Sequence, residues 1–285
     1  MQEPRLPYFL RLLIPACLSW LALVGAARAA VPTVVTLAPH ATELIFAAGA
    51  GKQIKATVQS SDYPANARSI PRVGDGVHIN AETLLSIRPE IVIAWQGTQA
   101  VQALRPALNA AGIQLLFSAP RTLNDIPLEI LRFGELFRSP EAEPNARALQ
   151  RRIDALREQY ASRSLLRVYI DLGSDPLYTL GNDPLLNNVL SICRGVNVYA
   201  SAAMAAPLVS LEHVLLQQPD AIIIASPSPA HTESRLKFWK SANLQAALRD
   251  KAYASHPDQL FRPGPRLVDA AEALCRDLDE ARPGR

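Results

Sequence analysis

One stretch of this chain is written twice. AETLLSIRPEIVIAW begins at Ala81 and LEHVLLQQPDAIIIA at Leu211, and each carries a glutamate (Glu82, Glu212), a leucine-rich turn, a proline (Pro89, Pro219), an acid and an apolar run. Proline disfavours helical backbone at the residue before it, and a short apolar run bounded by such a stop fits a buried strand. Each copy therefore predicts helix, stop and strand, over 82–87 then 91–94, and over 212–217 then 221–225. Two copies so far apart predict two α/β lobes of similar, Rossmann-like design.

The neighbouring segments extend the pattern. Residues 34–37 read as a strand, Ala38, Pro39 and His40 as a turn, and 42–48 as a helix ended by Gly49 and Gly51. Further helices are expected over 100–111, 185–193 and about 265–281, with strands at 114–117 and 167–171. In α/β sheets the ligand crevice lies beyond the carboxyl ends of the strands, so Pro39, His40, Thr42 and the Trp95-Gln96-Gly97 turn point toward a cleft. Between the halves, Ser139 is a natural N-cap with Pro140 at the first helical position, and Ala146, Leu149, Ile153, Leu156 and Tyr160 repeat at three-four spacing. A helix over 140–161 would run about 33 Å at 1.5 Å per residue, long enough to act as a rigid strut. The expected organisation is a leader over 1–29, one lobe over 30–138, the helix over 139–162, and a second lobe over 163–285.

The leader follows from its own chemistry. Arg5 and Arg11 precede an apolar run from Leu12, and Ala27-Arg28-Ala29 forms an A-x-A cleavage site. The run is roughly 13 residues and broken by Pro15, too short to span a bilayer. Cys17 lies inside that run rather than in a lipobox, so a soluble periplasmic product is expected. Cleavage would remove Arg5, Arg11, Arg28 and Glu3, lowering the formal charge of +3 by two, to about +1. No basic field for nucleic acid remains. Cys193 and Cys275 are then an even pair in an oxidising compartment, and a disulfide is expected. Closing a loop of about 80 residues contributes roughly 4 kcal/mol in the chain-entropy account; a thiolate metal site would need more ligands close by in sequence.

Signals of catalysis are missing. His40, His78, His213, His231 and His256 form no H-E-x-x-H pair, and there is no G-x-S-x-G elbow, Walker loop or dinucleotide fingerprint. Instead Tyr63, Trp95, Tyr178, Asp258 and Phe261 fall in turn-rich passages or beyond expected strands, the composition of a site for a sizeable, flat, partly apolar ligand. His40 has two readings, a satisfied structural histidine or a neutral imidazole able to meet a metal centre such as cobalt or iron. The two glutamates also have two, because a carboxylate at a helix N-terminus is stabilised by about 0.3–1 kcal/mol whatever its function.

VTLAPHATELIFAAG, SSDYP, VHINAETLLSIRPEIVIAW, PLYTLGN, VSLEHVLLQQPDAIII and the Cys193/Cys275 pair together resemble the periplasmic cobalamin-binding proteins that feed ABC-class importers, across essentially the whole chain after the leader. That resemblance implies a class III periplasmic binding protein, with two lobes on one long helix, a shallow cleft between them and limited hinge motion. It implies a monomer with no catalytic residues, no resident cofactor and no metal site, whose ligand is cobalamin or another corrinoid. It further implies that Tyr63, Trp95, Tyr178 and Asp258 contact the ligand and that the two cysteines are bonded. Glu82 and Glu212 would pair with arginines of the importer's permease, through which the ATPase is served; exposed ion pairs contribute about 0–1 kcal/mol each, so they would orient more than bind. Two departures stand out: Gly76 and Ala206 replace tryptophans of the family, and His40 replaces a small polar residue. A haem or iron-siderophore receptor of the same fold is one alternative, and a periplasmic metalloenzyme using His40, His78 or His256 is another.

Overall fold

The computed structural model describes residues 30–173 and 175–283, so the expected leader lies outside the described residues. Four strands, Val34–Thr36 (β1), Ile54–Ala56 (β2), Ile91–Ala94 (β3) and Gln114–Phe117 (β4), form a parallel sheet in the order β2-β1-β3-β4. Four more, Leu166–Asp171 (β5), Gly195–Asn197 (β6), Ala221–Ala225 (β7) and Ala252–Ser255 (β8), form a second in the order β6-β5-β7-β8. The second lobe repeats the first strand for strand. Helices Pro39–Ala47 (α1), Ala81–Ile87 (α2), Gln99–Ala110 (α3) and Asp125–Leu136 (α4) belong to the first part of the chain. After Ala142–Tyr160 (α5) come Pro184–Ile192 (α6), Leu211–Gln217 (α7), Pro229–Ser241 (α8), Gln245–Leu248 (α9), Pro257–Leu260 (α10) and Arg266–Glu280 (α11).

The duplicated stretch is duplicated in three dimensions. Asn80 and Ser210 cap α2 and α7 by accepting the N–H of Thr83 and His213, and each helix stops at a left-handed residue, Arg88 (φ 50°) or Gln218 (φ 44°). Leu84 and Val214 sit fully buried at matching positions and Pro89 and Pro219 are buried beside them, while Glu82 and Glu212 are exposed. The acid after each proline has the same task in both lobes. Glu90 accepts the N–H of Thr33 at 2.6 Å and Asp220 that of Arg167 at 2.7 Å, tying the repeated unit to the start of the first strand of its own sheet. The cores are matched in place but not in content, with Val35, Val92, Leu84 and Leu104 in one and Ile222, Ile224, Val214 and Trp239 in the other.

Several element boundaries differ by one residue from those read in the sequence, and two differ by more. Pro39 and His40 are not a turn but the first helical turn of α1, Pro39 occupying the position where its missing N–H costs nothing. The long helix begins at Ala142, with Ser139 and Pro140 in the preceding turn and no side chain capping it. Its 19 residues span about 28 Å. The expected stripe is buried in full, and the helix is tied to both lobes: Asn145 donates to the Ala47 carbonyl at the end of α1, and Arg152 pairs with Asp269 (2.6 Å) and Glu272 (2.8 Å) on α11. Among the described residues no helix is long and apolar enough to cross a membrane.

Cys193 and Cys275 form a disulfide, both fully buried, joining the end of α6 to α11 across 82 residues of sequence. Replacing both by serine should cost about 4 kcal/mol, lowering the thermal midpoint by about 10 °C at roughly 2–4 °C per kcal/mol for a chain of this size. A scanning calorimetry midpoint unchanged to within 2 °C would show that closing this loop contributes nothing.

Candidate ligand-binding cleft

A crossover between parallel strands returns the chain to the same end of the sheet, so every strand in a lobe delivers its following loop to one edge. On the first sheet that edge carries Tyr63 after β2, Trp95 after β3 and Ser118 after β4; on the second it carries Leu172 and Gly173 after β5, Ser226 after β7 and His256 after β8. Helices α2 and α7 each run into the next strand from that same edge, which is why their exposed N-terminal glutamates stand there too. Between the two edges lies a cavity of about 430 Å³, lined by Trp95, Gln96 and Arg121 from one lobe and Asp183, Leu185 and Phe261 from the other. A hollow of about 500 Å³ beside Gln218, Asp220 and Lys251 is at the opposite, N-terminal end of β7 and β8, away from these loops.

The aromatic candidates are exposed in a way core residues are not. Trp95 is 44% exposed, Tyr63 45% and Tyr178 40%. Trp95 lines the shared cavity and meets the edge of the His40 ring, centroids 5.2 Å apart. Tyr63 lies beneath the Arg266 guanidinium, 4.3 Å from ring centre to cation, a geometry that attracts through the ring's quadrupole. Asp258 is paired with Arg262 one helical turn on, at 2.7 Å. Through Arg262 and Arg266, Tyr63 and Asp258 share one cluster although they come from different lobes. Tyr178 is held separately, bridged to Leu208 and accepting the Leu172 N–H through its carbonyl.

His40 does not face open space. It is 1% exposed, and its Nε2 lies 2.9 Å from the Ser118 carbonyl, which can only accept, so the proton sits on Nε2. Burial pushes its pKa down to about 4 against that hydrogen bond, and the ring is neutral at pH 7. Its direct contact is with Trp95, so in this conformation it supports the aromatic wall rather than reaching a ligand. The other histidines of the metalloenzyme alternative are apart: His78 is exposed beside Asp75, and His256 caps α10. Among the described residues no three His, Cys, Asp or Glu side chains stand close enough to hold a metal.

At the two positions where the resemblance marks a departure, small residues stand in place of the family's tryptophans. Gly76 adopts φ +99°, a region that a side chain occupies only with strain, so the missing ring is bound up with the backbone of its loop. That loop is pinned by Asp75, which accepts from the His78 and Val77 N–H groups and the His78 ring; these bonds, the His78 backbone one first, hold its carboxyl at about 2. Ala206 is exposed, and Val77 and Met204 beside the two positions are exposed apolar residues. Glu212 is held below the usual carboxylate range by its own backbone N–H and the Ser210 hydroxyl. Sequence reasoning missed Arg121, Asp183 and Leu185 in the cavity wall, and Glu43, Arg262 and Arg266 beside it. The spacing of Asp258 and Arg262, one turn apart, was a usable signal for that pair.

A model of the periplasmic binding protein family matches residues 34–254. A vitamin B12-binding protein of Photorhabdus laumondii is 35% identical over 248 residues, covering 87% of this chain and 88% of that one. The crystal structure of the periplasmic vitamin B12 binding protein BtuF of Vibrio cholerae superposes with a TM-score of 0.80 at 32% identity, covering 89% of this chain and 98% of that one. The periplasmic heme-binding protein RhuT of Roseiflexus sp. RS-1 shares the fold, with a TM-score of 0.75 at 24% identity, covering 88% and 98%.

The buried neutral His40 makes stability depend on pH in one direction. Its folded pKa of about 4 lies below the ordinary 6.5, so the stabilisation is fully present above pH 6.5 and is drawn down toward pH 4 as the unfolded chain takes up the proton. At about 1.4 kcal/mol per tenfold change in proton affinity, the loss is about 3 kcal/mol. Urea unfolding between pH 4 and 8 should show this slope in the wild type and a shallower one in His40→Gln; equal slopes would assign the loss to other groups.

Proposed function

The chain belongs to the periplasmic binding protein family, and on that premise we propose that it is a non-catalytic, monomeric receptor that captures cobalamin or a related corrinoid between its lobes and presents it to the permease of an ABC importer. One observation carries the reading: half-exposed Trp95, with Gln96 and Arg121 of one lobe, faces Asp183 and Phe261 of the other across a shared cavity, in a chain 35% identical to a vitamin B12-binding protein. A cavity of about 430 Å³ is at the lower end of the roughly 300–1,000 Å³ typical of small-molecule sites. A macrocycle would fill it and extend over the exposed rings and the aliphatic rim of Val77 and Met204.

Capture then follows from ordinary forces. Covering a large side chain that water now touches gains about 1.5–3 kcal/mol for full burial, and the rings offer flat faces to a flat ligand. Asp258, Asp183, Gln96 and Arg121 supply donors and acceptors for polar groups at the ligand's edge. No bond is made or broken, so release requires only that a partner compete for the same contacts. Glu82 and Glu212, one at the same structural position of each lobe, are the proposed marks for two permease subunits, and the A-x-A leader is the proposed route to the periplasm. A paired acidic signature on a two-lobed body fits a partner with paired basic sites, with orientation rather than strength as its contribution.

Titration with cyanocobalamin, followed by tryptophan fluorescence, should give one site per chain, with hemin binding more weakly; hemin binding tighter would favour the haem-receptor alternative suggested by the open rim at Gly76 and Ala206. Trp95→Ala should weaken cyanocobalamin binding at least tenfold, and an unchanged affinity would remove Trp95 from the site. Glu82→Arg with Glu212→Arg should abolish uptake in reconstituted vesicles while leaving the dissociation constant within twofold. Retained uptake would refute the docking role.

A further inference from the structure

After β8 the chain crosses back toward the first lobe, and residues 258–266 lie against it. Arg262, only 11% exposed, meets carboxylates from both lobes: Asp258 at 2.7 Å in its own turn, Asp62 at 2.7 Å and Glu43 at 3.7 Å across the gap. Four residues on, Arg266 holds Glu43 with two parallel bonds, Nε to Oε2 at 3.0 Å and Nη2 to Oε1 at 2.5 Å. Glu43 is 2% exposed. Burial pushes its carboxyl up while the Arg266 hydrogen bonds pull it down, and the fork geometry suits an ionised carboxylate. The approach is close enough to exclude a side chain between them, since a Cβ on Gly264 would stand 3.1 Å from Glu43 Oε2.

These contacts join candidate ligand residues from opposite lobes. Asp62 precedes Tyr63, whose ring lies under Arg266; Asp258 is the partner of Arg262; and Glu43 is on α1 one turn after His40, the support of Trp95. We propose that Arg262 and Arg266 are positioning residues that clamp the two lobes through Asp62 and Glu43, setting the separation at which Tyr63 and Asp258 face each other before any ligand arrives. A clamp suits this role better than apolar packing would, because a bidentate guanidinium–carboxylate pair has one preferred geometry, whereas apolar surfaces slide. Other ties between the lobes among the described residues, such as Leu123 N–H to the Asn188 side chain and the α5 helix itself, involve different elements, so the clamp supplies a constraint of its own. The clamp exists whatever the ligand; only its effect on affinity rests on the corrinoid reading.

The test reads lobe separation directly in ligand-free protein. Spin labels on Ala103→Cys in α3 and Ser234→Cys in α8, both exposed, should give a single narrow distance distribution by double electron–electron resonance in the wild-type background. Arg266→Ala and Glu43→Gln should each broaden or shift it by several ångströms, with Arg266→Lys restoring part of the narrowness and Arg262→Gln giving a smaller change. Glu43→Gln keeps the side chain's shape and removes only its charge, so it reports even if Arg266→Ala fails to fold. A distribution that stays both narrow and unshifted in Glu43→Gln overturns the clamp, including where the thermal midpoint falls, since a merely structural pair would lower stability without moving the lobes. In the corrinoid titration, Glu43→Gln should weaken binding about tenfold; a protein that binds no corrinoid in any form would refute the function and leave the distance result standing.

Discussion

Parallel strands cannot be joined by a tight turn, and that constraint organises the whole molecule. Each strand must be followed by a crossover that returns the chain to the starting end, so all loops after strands collect at one edge and all loops before strands at the other. Two sheets of the same order therefore possess two loop-rich edges, and bringing those edges together is enough to make a cleft. Trp95, Tyr63, Ser118, His256 and Gly173 owe their positions to this rule before any preference of their own is considered. The repeated helix, proline and strand are the smallest sequence unit that obeys it.

The two lobes solve a shared problem with different chemistry. The last residue of the first strand in each sheet turns a polar side chain into the interior. In one lobe Thr36 joins Thr42, Thr57 and Ser61 in a buried hydroxyl cluster, with oxygens 2.6 to 3.2 Å apart. In the other, Asp171 accepts from Arg235 (2.8 and 2.9 Å), from the Trp239 indole (2.7 Å) and from the Gly173 N–H (2.9 Å). Every partner of the buried charge is paired in kind, the condition under which an interior ion pair is tolerated. Hydroxyls in one lobe and a salt bridge in the other keep the strand end polar where the loop must leave it.

The sequence made the repeat, the strut and the paired cysteines legible because each rests on local rules: proline punctuation, three-four periodicity and cysteine parity. The strands at 91–94 and 221–225 agree with the apolar runs to the residue. β2 and β6 were not legible, since Lys55 interrupts one three-residue strand and Gly195 and Asn197 bound the other, leaving no apolar run of the kind that marks β1, and their stability comes from neighbours rather than from their own composition. His40 shows the other limit. Its place near the cleft follows from the strand that precedes it, but whether a ring faces a ligand or a carbonyl is decided by Ser118, 78 positions away. Glu43 and Arg266, separated by 223 positions, are beyond any pattern that a local window can contain.

The crosslink between Cys193 and Cys275 encloses β6, β7 and β8, three of the four strands of one sheet, and nothing comparable encloses the other lobe. Pulled by its two ends, the molecule would therefore yield unevenly. The stretch between the sulfurs, a sequence separation of 82, worth roughly 280 Å of contour at about 3.4 Å per step, would be withheld from extension for as long as the bond is oxidised. The lobe built on β1 to β4 has no such reserve and would unravel along its whole length. Mechanically the protein is half a tether and half a knot.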